Sequence, residues 1–216
     1  MENTHCSVVV LISGNGSNLQ ALIDASVASN FKISGVISNN PEAFGLQRAA
    51  RDNIPNEVIN HRDFDSREQF DLALIDALDQ INPSLIVLAG FMRILSETFV
   101  NHYRGKIVNI HPSLLPKYTG TNTHQRVLDA GDKEHGVSVH FVTEQLDGGP
   151  VIAREKISVH AGDSARELAV RVAAKEHIVY PKVVSWFAAG RLHMLDNHAY
   201  LDHEQLPSTG VEIVPS

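Results

Sequence analysis

The stretch "SVVVLISGNGSNLQALIDASVAS", Ser7 to Ser29, decides how the chain is read. Ser7 to Ser13 is a continuous, β-branched apolar run, which predicts a strand buried on both faces, as in a parallel sheet. A glycine turn, Gly14 to Asn18, follows, and then a helical pattern. The glycines Gly14 and Gly16 let the backbone turn sharply and approach a ligand. Ser17 or Asn18 is placed to cap the helix, and free amides at a helix start attract an anion such as phosphate. The turn lacks the Gly-Lys-Ser/Thr of a Walker loop and the third glycine of a dinucleotide fingerprint. By itself it reads equally well as a plain strand-to-helix turn.

The same alternation continues outward. Phe31 to Asn39 reads as a strand, Pro41 to Asp52 as a helix and Asn56 to Asn60 as a short strand. Ser66 and Gln69 form a capping-box pattern, with Phe70, Leu74 and Leu78 recurring at helical spacing behind it. Leu85 to Gly90 is another two-sided apolar strand, Ser96 to His102 a short helix, and Lys106 to Ile110 the next strand. Gly136 to Val142 alternates as a strand, and Pro150 to Val159 reads as its antiparallel partner. Ser164 and Glu167 open a long helix that Pro181 is expected to bend or interrupt. The tail, Arg191 to Ser216, looks like a small hairpin and a loose end. Strands alternating with helices predict an open α/β sheet that is at least partly parallel.

The 216 residues fit one domain, long enough for a full core. A net charge of -7 argues against nucleic acid as a partner. Cys6 is the single cysteine, so no internal disulfide forms; it reads as a core-edge residue in a reducing compartment. The start, "MENTHCSVVV", has no basic region before its apolar run, and no stretch nears the roughly 20 apolar residues of a membrane span. The expectation is a cytoplasmic protein.

In such sheets ligands bind beyond the carboxyl ends of the strands. Gly14 to Asn18, Gly90 to Arg93 and Asn109 to Pro112 all lie at such ends, so three segments converge on one crevice. Asn109 and His111 are two apart on a strand and face the same side. Pro112 fixes the exit direction of the chain. An amide donor beside an imidazole suits stabilising an oxyanion and moving a proton; the alternative is a capped strand end with a structural histidine. Asp147 stands before Gly148 and Gly149, in a loop that can bring its carboxylate toward His111 and favour the imidazolium, or it is an ordinary turn aspartate. Glu176 is the one charge on the stripe Leu168, Val172, Glu176, Val179 and Val183, and a buried carboxylate needs a partner such as a sugar hydroxyl, unless the pattern drifts at Pro181. Arg67 and Arg93 are candidate anion contacts. The histidines show no tight metal-ligand spacing, and no metal is expected. No Gly-x-Ser-x-Gly elbow is present, which disfavours acyl-enzyme hydrolysis.

"LISGNGSNLQALID", "VLAGFMRILS", "NIHPSLLPKYTG", "HGVSVHFVTEQLDGGPVI" and "YPKVVSWFAAGRL" together make the chain resemble the folate-dependent phosphoribosylglycinamide formyltransferases of the formyltransferase family, over about its whole length. The resemblance implies an open, mostly parallel sheet with a Rossmann-like N-terminal half and helices on both faces. It implies a single domain over 1–190, with a nucleotide-binding half at about 1–104, a folate and catalytic half at about 105–190, and a tail over 191–216. It implies formyl transfer from 10-formyltetrahydrofolate to the amine of glycinamide ribonucleotide, in purine synthesis, by a monomer or homodimer with no metal, nucleic acid or membrane. The catalytic asparagine, histidine and aspartate fall on Asn109, His111 and Asp147. The ribonucleotide falls on Gly14, Asn15, Gly16, Ser17, Asn18 and Glu176. The folate falls on Met92, Arg93, Ile94, Leu95, Asn109 and Val142, with Arg67 near its glutamate tail.

One departure stands out. Where the family reads Pro-Gly-Leu-His-Thr-His, this chain has "TGTNTH", Thr119 to His124, so Asn122 replaces a histidine and Thr119 a proline. Three other readings compete with this one. The related formyl-folate hydrolase usually carries an extra N-terminal domain, but this chain starts at its first strand. The methionyl-tRNA enzyme usually carries a C-terminal RNA-binding domain. A silent phosphosugar-binding module would not need Asn109, His111 and Asp147 together.

Overall fold

The structure, a computed structural model, describes residues 5–213. Residues 1–4, part of the segment read for a targeting signal, and the last three residues of the tail lie outside the described residues. The elements run β1 (Cys6–Ile12), α1 (Ser17–Ser26), β2 (Phe31–Ser38), α2 (Phe44–Arg51), β3 (Asn56–Val58), a 3-10 turn (His61–Asp63), α3 (Arg67–Ile81), β4 (Leu85–Leu88) and α4 (Glu97–His102). They continue with β5 (Ile107–His111), α5 (Thr123–Ala130), β6 (Glu134–Phe141), β7 (Val151–Ser158), α6 (Ala165–Ala188), β8 (Leu192–Leu195), β9 (His198–Leu201), β10 (Glu204–Gln205) and β11 (Val211–Glu212).

The main sheet has the order β11-β7-β6-β5-β4-β1-β2-β3. From β3 to β5 it is parallel, whereas β6 runs antiparallel to both β5 and β7. The β-branched runs follow from this layering. Val8, Val10 and Ile12 face α1 and α6, meeting Leu19, Leu22, Val172 and Val183. Val9 and Leu11 face the other way, against Phe70 and Leu74 of α3 and Phe99 of α4. Both faces of β1 are therefore dry, and each such side chain contributes about 1.5–3 kcal/mol by leaving water. β1 pairs with both β2 and β4, which makes the space beyond β1 and β4 the switch point where such sheets take ligands.

Several local expectations need adjustment. α2 begins at Phe44, not Pro41, because the Asn40 side chain accepts from the Glu42 amide and holds a turn there. Ser66 caps α3 by accepting from the Gln69 amide, but Gln69 Oε1 takes the Asp65 amide, so the reciprocal box does not close. The Ser164–Glu167 box is complete. Pro181 does not interrupt α6, which runs on to Ala188. Proline removes one backbone bond there, and buried Val179, Tyr180, Val183 and Val184 hold both sides of it in place. The tail is a three-stranded sheet, and β11 then joins the main sheet beside β7. α5 has no counterpart among the elements expected from the sequence pattern. No described helix is long and apolar enough to cross a membrane.

Candidate active site

Asn109 and His111 project from the end of β5 into the crevice, and the loop after β6 brings Asp147 to them. His111 Nδ1 lies 3.6 Å from Asp147 Oδ2, and both side chains are over nine-tenths buried. Asp147 itself adopts the left-handed region (φ 49). That conformation is uncommon outside glycine and tolerated by aspartate, and such strain collects at functional sites. Gly149 permits the loop to close: a Cβ there would sit 1.9 Å from the Phe141 carbonyl oxygen. The Gly120 amide donates to Asp147 Oδ2 at 2.7 Å and fixes the carboxylate.

The His111 ring is held from its far side. Its Nε2–H donates to the Tyr118 carbonyl at 2.8 Å, and Tyr118 sits in the left-handed region (φ 57). This leaves Nδ1 as the nitrogen that faces Asp147 and can exchange a proton. An imidazolium would find an acceptor on both sides.

His140 is a site residue that sequence reasoning missed. It stands opposite Asn109 across the β5–β6 ladder. Its Nδ1–H donates to the Phe141 carbonyl at 2.8 Å, so its Nε2 accepts from Asn109 Nδ2 at 3.2 Å. Burial pushes the His140 pKa down to about 4, and it stays neutral at pH 7. The neutral ring thus fixes which way the Asn109 amide points and leaves its second N–H for a ligand oxygen. The pattern "VSVHF" carried the signal, since alternation places His140 on one face of its strand, but the register did not show in sequence. A second histidine pair, half-buried His124 Nδ1 with buried His135 Nε2 at 2.9 Å, lies near His111. Burial holds His135 down to about 4 and lowers His124 as well. Asn122 is the left-handed N-cap residue of α5 (φ 57).

At the other end of the crevice, the cap of α1 differs from expectation. Gly16 is the N-cap (φ 74) and no side chain caps the helix, so neither Ser17 nor Asn18 consumes its first-turn amides. Gly16 must be glycine on space as well: a Cβ would meet Gly45 Cα at 2.7 Å. Arg48, also missed, ties the turn down. Its Nε donates to the Asn15 carbonyl at 2.9 Å and its Nη2 to Asn15 Oδ1 at 3.1 Å. The result is a preformed anion cradle with a guanidinium beside it. Asn18 is buried and donates instead to Glu176 Oε2 at 2.7 Å, joining α1 to α6 across 158 positions. Burial raises the Glu176 pKa, opposed by the Asn18 bond.

Against the Asn109 end lies a cavity of about 130 Å³ bounded by Arg93, Ile94 and Leu95 on one side and by Val142 to Asp147 on the other, with Asn109 and His140 at its base. Met92 and Ile94 are exposed at the crevice, at 69% and 58%. Arg67 is outside this cavity and pairs with Glu68 at 3.1 Å. Among the described residues no group of three or more His, Cys, Asp or Glu is placed to hold a metal ion.

An anion cradle and a buried Asn–His–Asp cluster thus face one crevice. The sequence profile described as "Formyl transferase" matches residues 6–184. The phosphoribosylglycinamide formyltransferase of Escherichia coli (strain K12) is 54% identical over 94% of this chain and 97% of its own length. That of Haemophilus influenzae is 47% identical over 94% and 97%. The solved phosphoribosylglycinamide formyltransferase of Coxiella burnetii, in complex with CHES, superposes with a TM-score of 0.94 at 51% identity, covering 97% of this chain and 100% of that one. The chain therefore belongs to the formyl transferase family, beside its phosphoribosylglycinamide members.

Proposed function

We propose that the chain transfers the formyl group of 10-formyltetrahydrofolate to the amine of glycinamide ribonucleotide, giving the formyl ribonucleotide and tetrahydrofolate. The observation that carries this is the convergence of Asn109, His111 and Asp147 between an anion cradle and a separate half-apolar cavity. The ribonucleotide phosphate takes the amides of Gly14 to Asn18, and Glu176 accepts from the ribose hydroxyls. The folate occupies the cavity between Met92–Leu95 and Val142–Asp147. Residues 1–104 then supply the nucleotide cradle and 105–190 the catalytic groups.

The chemistry follows from the orientations. The amine nitrogen attacks the formyl carbon, and negative charge develops on the formyl oxygen. The free N–H of Asn109, aimed by neutral His140, donates to that oxygen. Such a donor lowers the barrier by about 3–4 kcal/mol in one well-studied enzyme. His111 Nδ1 carries the proton on the second side, with Asp147 stabilising the imidazolium and Tyr118 fixing the ring. As the tetrahedral centre collapses, the bond from carbon to the folate nitrogen breaks, and that nitrogen gains the proton that the amine gives up.

Formyl transfer is followed spectroscopically with and without glycinamide ribonucleotide. Folate product that appears only with the ribonucleotide supports the reading. Equal product without acceptor would mean hydrolysis, and none from folded protein would leave a binding module.

A further inference from the structure

The segment that joins β4 to α4 forms one wall of the cavity assigned above to the folate. It has no helix or strand of its own. Its two ends are fixed. The Ala89 amide donates to the Leu11 carbonyl at 2.9 Å, and the Ser96 amide donates to the buried Asp71 carboxylate. Phe91 packs on the Phe70 ring, and the Arg93 guanidinium lies 6.0 Å from the same ring. These contacts press the segment against α3 without setting its position along the crevice. Among the described residues, one backbone group of residues 90–95 makes a hydrogen bond: the Met92 amide donates to the Ser13 hydroxyl at 2.8 Å. Ser13 directly precedes Gly14. A single bond, spanning 79 positions of chain, thus ties the folate wall to the anion cradle.

Ser13 is itself held for this task. Its hydroxyl donates to the buried Asn39 Oδ1 at 2.5 Å, which spends its proton and leaves its lone pairs for the Met92 amide. Asn40 Nδ2 donates to the Ser13 carbonyl at 3.3 Å. The cradle does not depend on the hydroxyl, since the Gly45 amide donates to the Gly14 carbonyl at 3.0 Å and Arg48 holds Asn15. We propose that Ser13 is a positioning residue for the transfer: its hydroxyl sets the register between the ribonucleotide seat and the folate seat, so that the formyl carbon lies within reach of the amine. This rests on the formyl-transfer reading above. Ser13 acts through the Met92 backbone and not on the reacting atoms, and a small displacement of one seat against the other is enough to slow a reaction between two bound substrates.

The test is Ser13→Ala, which removes the acceptor and leaves the backbone ties of the cradle in place. Steady-state transfer is measured with each substrate varied in turn, and tetrahydrofolate binding by calorimetry. At saturation with both substrates, kcat falls by about ten- to a hundredfold. The Kd of tetrahydrofolate rises by about fivefold, the worth of one ordinary hydrogen bond. The KM for glycinamide ribonucleotide stays within about twofold of wild type, a split between the substrates that general loosening of the fold would not produce. Amide hydrogen exchange on the wild type without ligands tests the bond itself, whether or not the variant folds. The Met92 amide exchanges about fivefold slower than those of Arg93 and Ile94, which have no partner. Equal exchange at these three amides, a wild-type kcat in Ser13→Ala, or a loss confined to the ribonucleotide KM would overturn the proposal. Transfer by the wild type that Ser13→Ala leaves intact sinks this inference alone; no transfer by the wild type sinks the formyltransferase reading itself.

Discussion

Asp147→Asn isolates the charge in the site with the least change of shape. The amide oxygen of the new side chain still accepts from the Gly120 amide, the short contact that fixes the carboxylate at 2.7 Å. What disappears is a negative charge 3.6 Å from His111 Nδ1. With an effective dielectric of about 20, a unit pair at that separation interacts by about 4–5 kcal/mol. The pair is over nine-tenths buried, so bulk water does little to screen it. This interaction exists only while the ring is protonated, which is the state proposed to face the developing oxyanion. The loss therefore falls on the transition state, and about 4 kcal/mol is about three orders of magnitude in kcat. The assay is steady-state formyl transfer with each substrate varied in turn. The expected result is kcat lowered by about a thousandfold with both KM values within about threefold of wild type. A kcat within tenfold of wild type would show that the Asp147 charge does not stabilise the reacting imidazolium. A loss seen mainly in KM would place Asp147 in binding instead.

Other consequences follow from burial. Glu176→Gln keeps an acceptor for Asn18 but weakens the charge-assisted bond to the ribose proposed above, worth about 1.5–3 kcal/mol, so KM for glycinamide ribonucleotide is expected to rise about ten- to a hundredfold in initial-rate assays. The same change raises the melting temperature at pH 7, because the folded pKa of Glu176 lies above its ordinary value. Its ionised form costs stability above that folded pKa, and the cost fades as pH falls toward the ordinary value. His135 and His140 act with the opposite sign: both are held neutral in the fold, at about 4 against 6.5. Their stability is fully present above pH 6.5 and is lost between 6.5 and about 4, by a few kcal/mol, which denaturant melts across that range measure. Gly149→Ala drives a methyl into the Phe141 carbonyl, so it destabilises by about 3 kcal/mol in the same melts and displaces Asp147 even where the protein still folds.

The fold was legible where burial is two-sided. Ser7 to Ser13 and Leu85 to Gly90 have no polar face to offer, so they read as central strands, and they are β1 and β4. Asn109 and His111 were legible because the two-residue period of a strand is local. The remaining parts depend on contacts far apart in the chain. Asn18 looked like a cap, yet its amide is committed to Glu176, 158 positions away. Ser17 looked like a cap, yet Gly16 takes that place in a left-handed conformation that no propensity specifies. Arg48 carried no local signal, and the close approach of Gly45 to Gly16 brings it onto the Asn15 carbonyl. His140 was hidden by register, since a shift of one residue along β6 would have turned it to the opposite face.

The two histidines that flank Asp147, His111 and His140, are chemically alike and are held in opposite ways by their surroundings. Both are almost fully buried, at 5% exposure for His111 and 2% for His140. Each spends one N–H on a backbone carbonyl, Tyr118 for His111 and Phe141 for His140. Their second nitrogens differ. In His140 it is occupied by the Asn109 amide, and Asp147 Oδ1 stands off at 3.8 Å. Protonating that nitrogen would break its bond to Asn109 and set two donors against each other, so this ring works only when neutral, as an orienting group. In His111 the second nitrogen meets no donor, only the Asp147 carboxylate on its flank. A proton placed there gains a partner and loses none, which is what the proposed proton transfer asks of this ring. In the formyl transfer proposed above, the carbonyls of Tyr118 and Phe141, through the tautomers they select, suit His111 to proton transfer and Asn109 to the oxyanion.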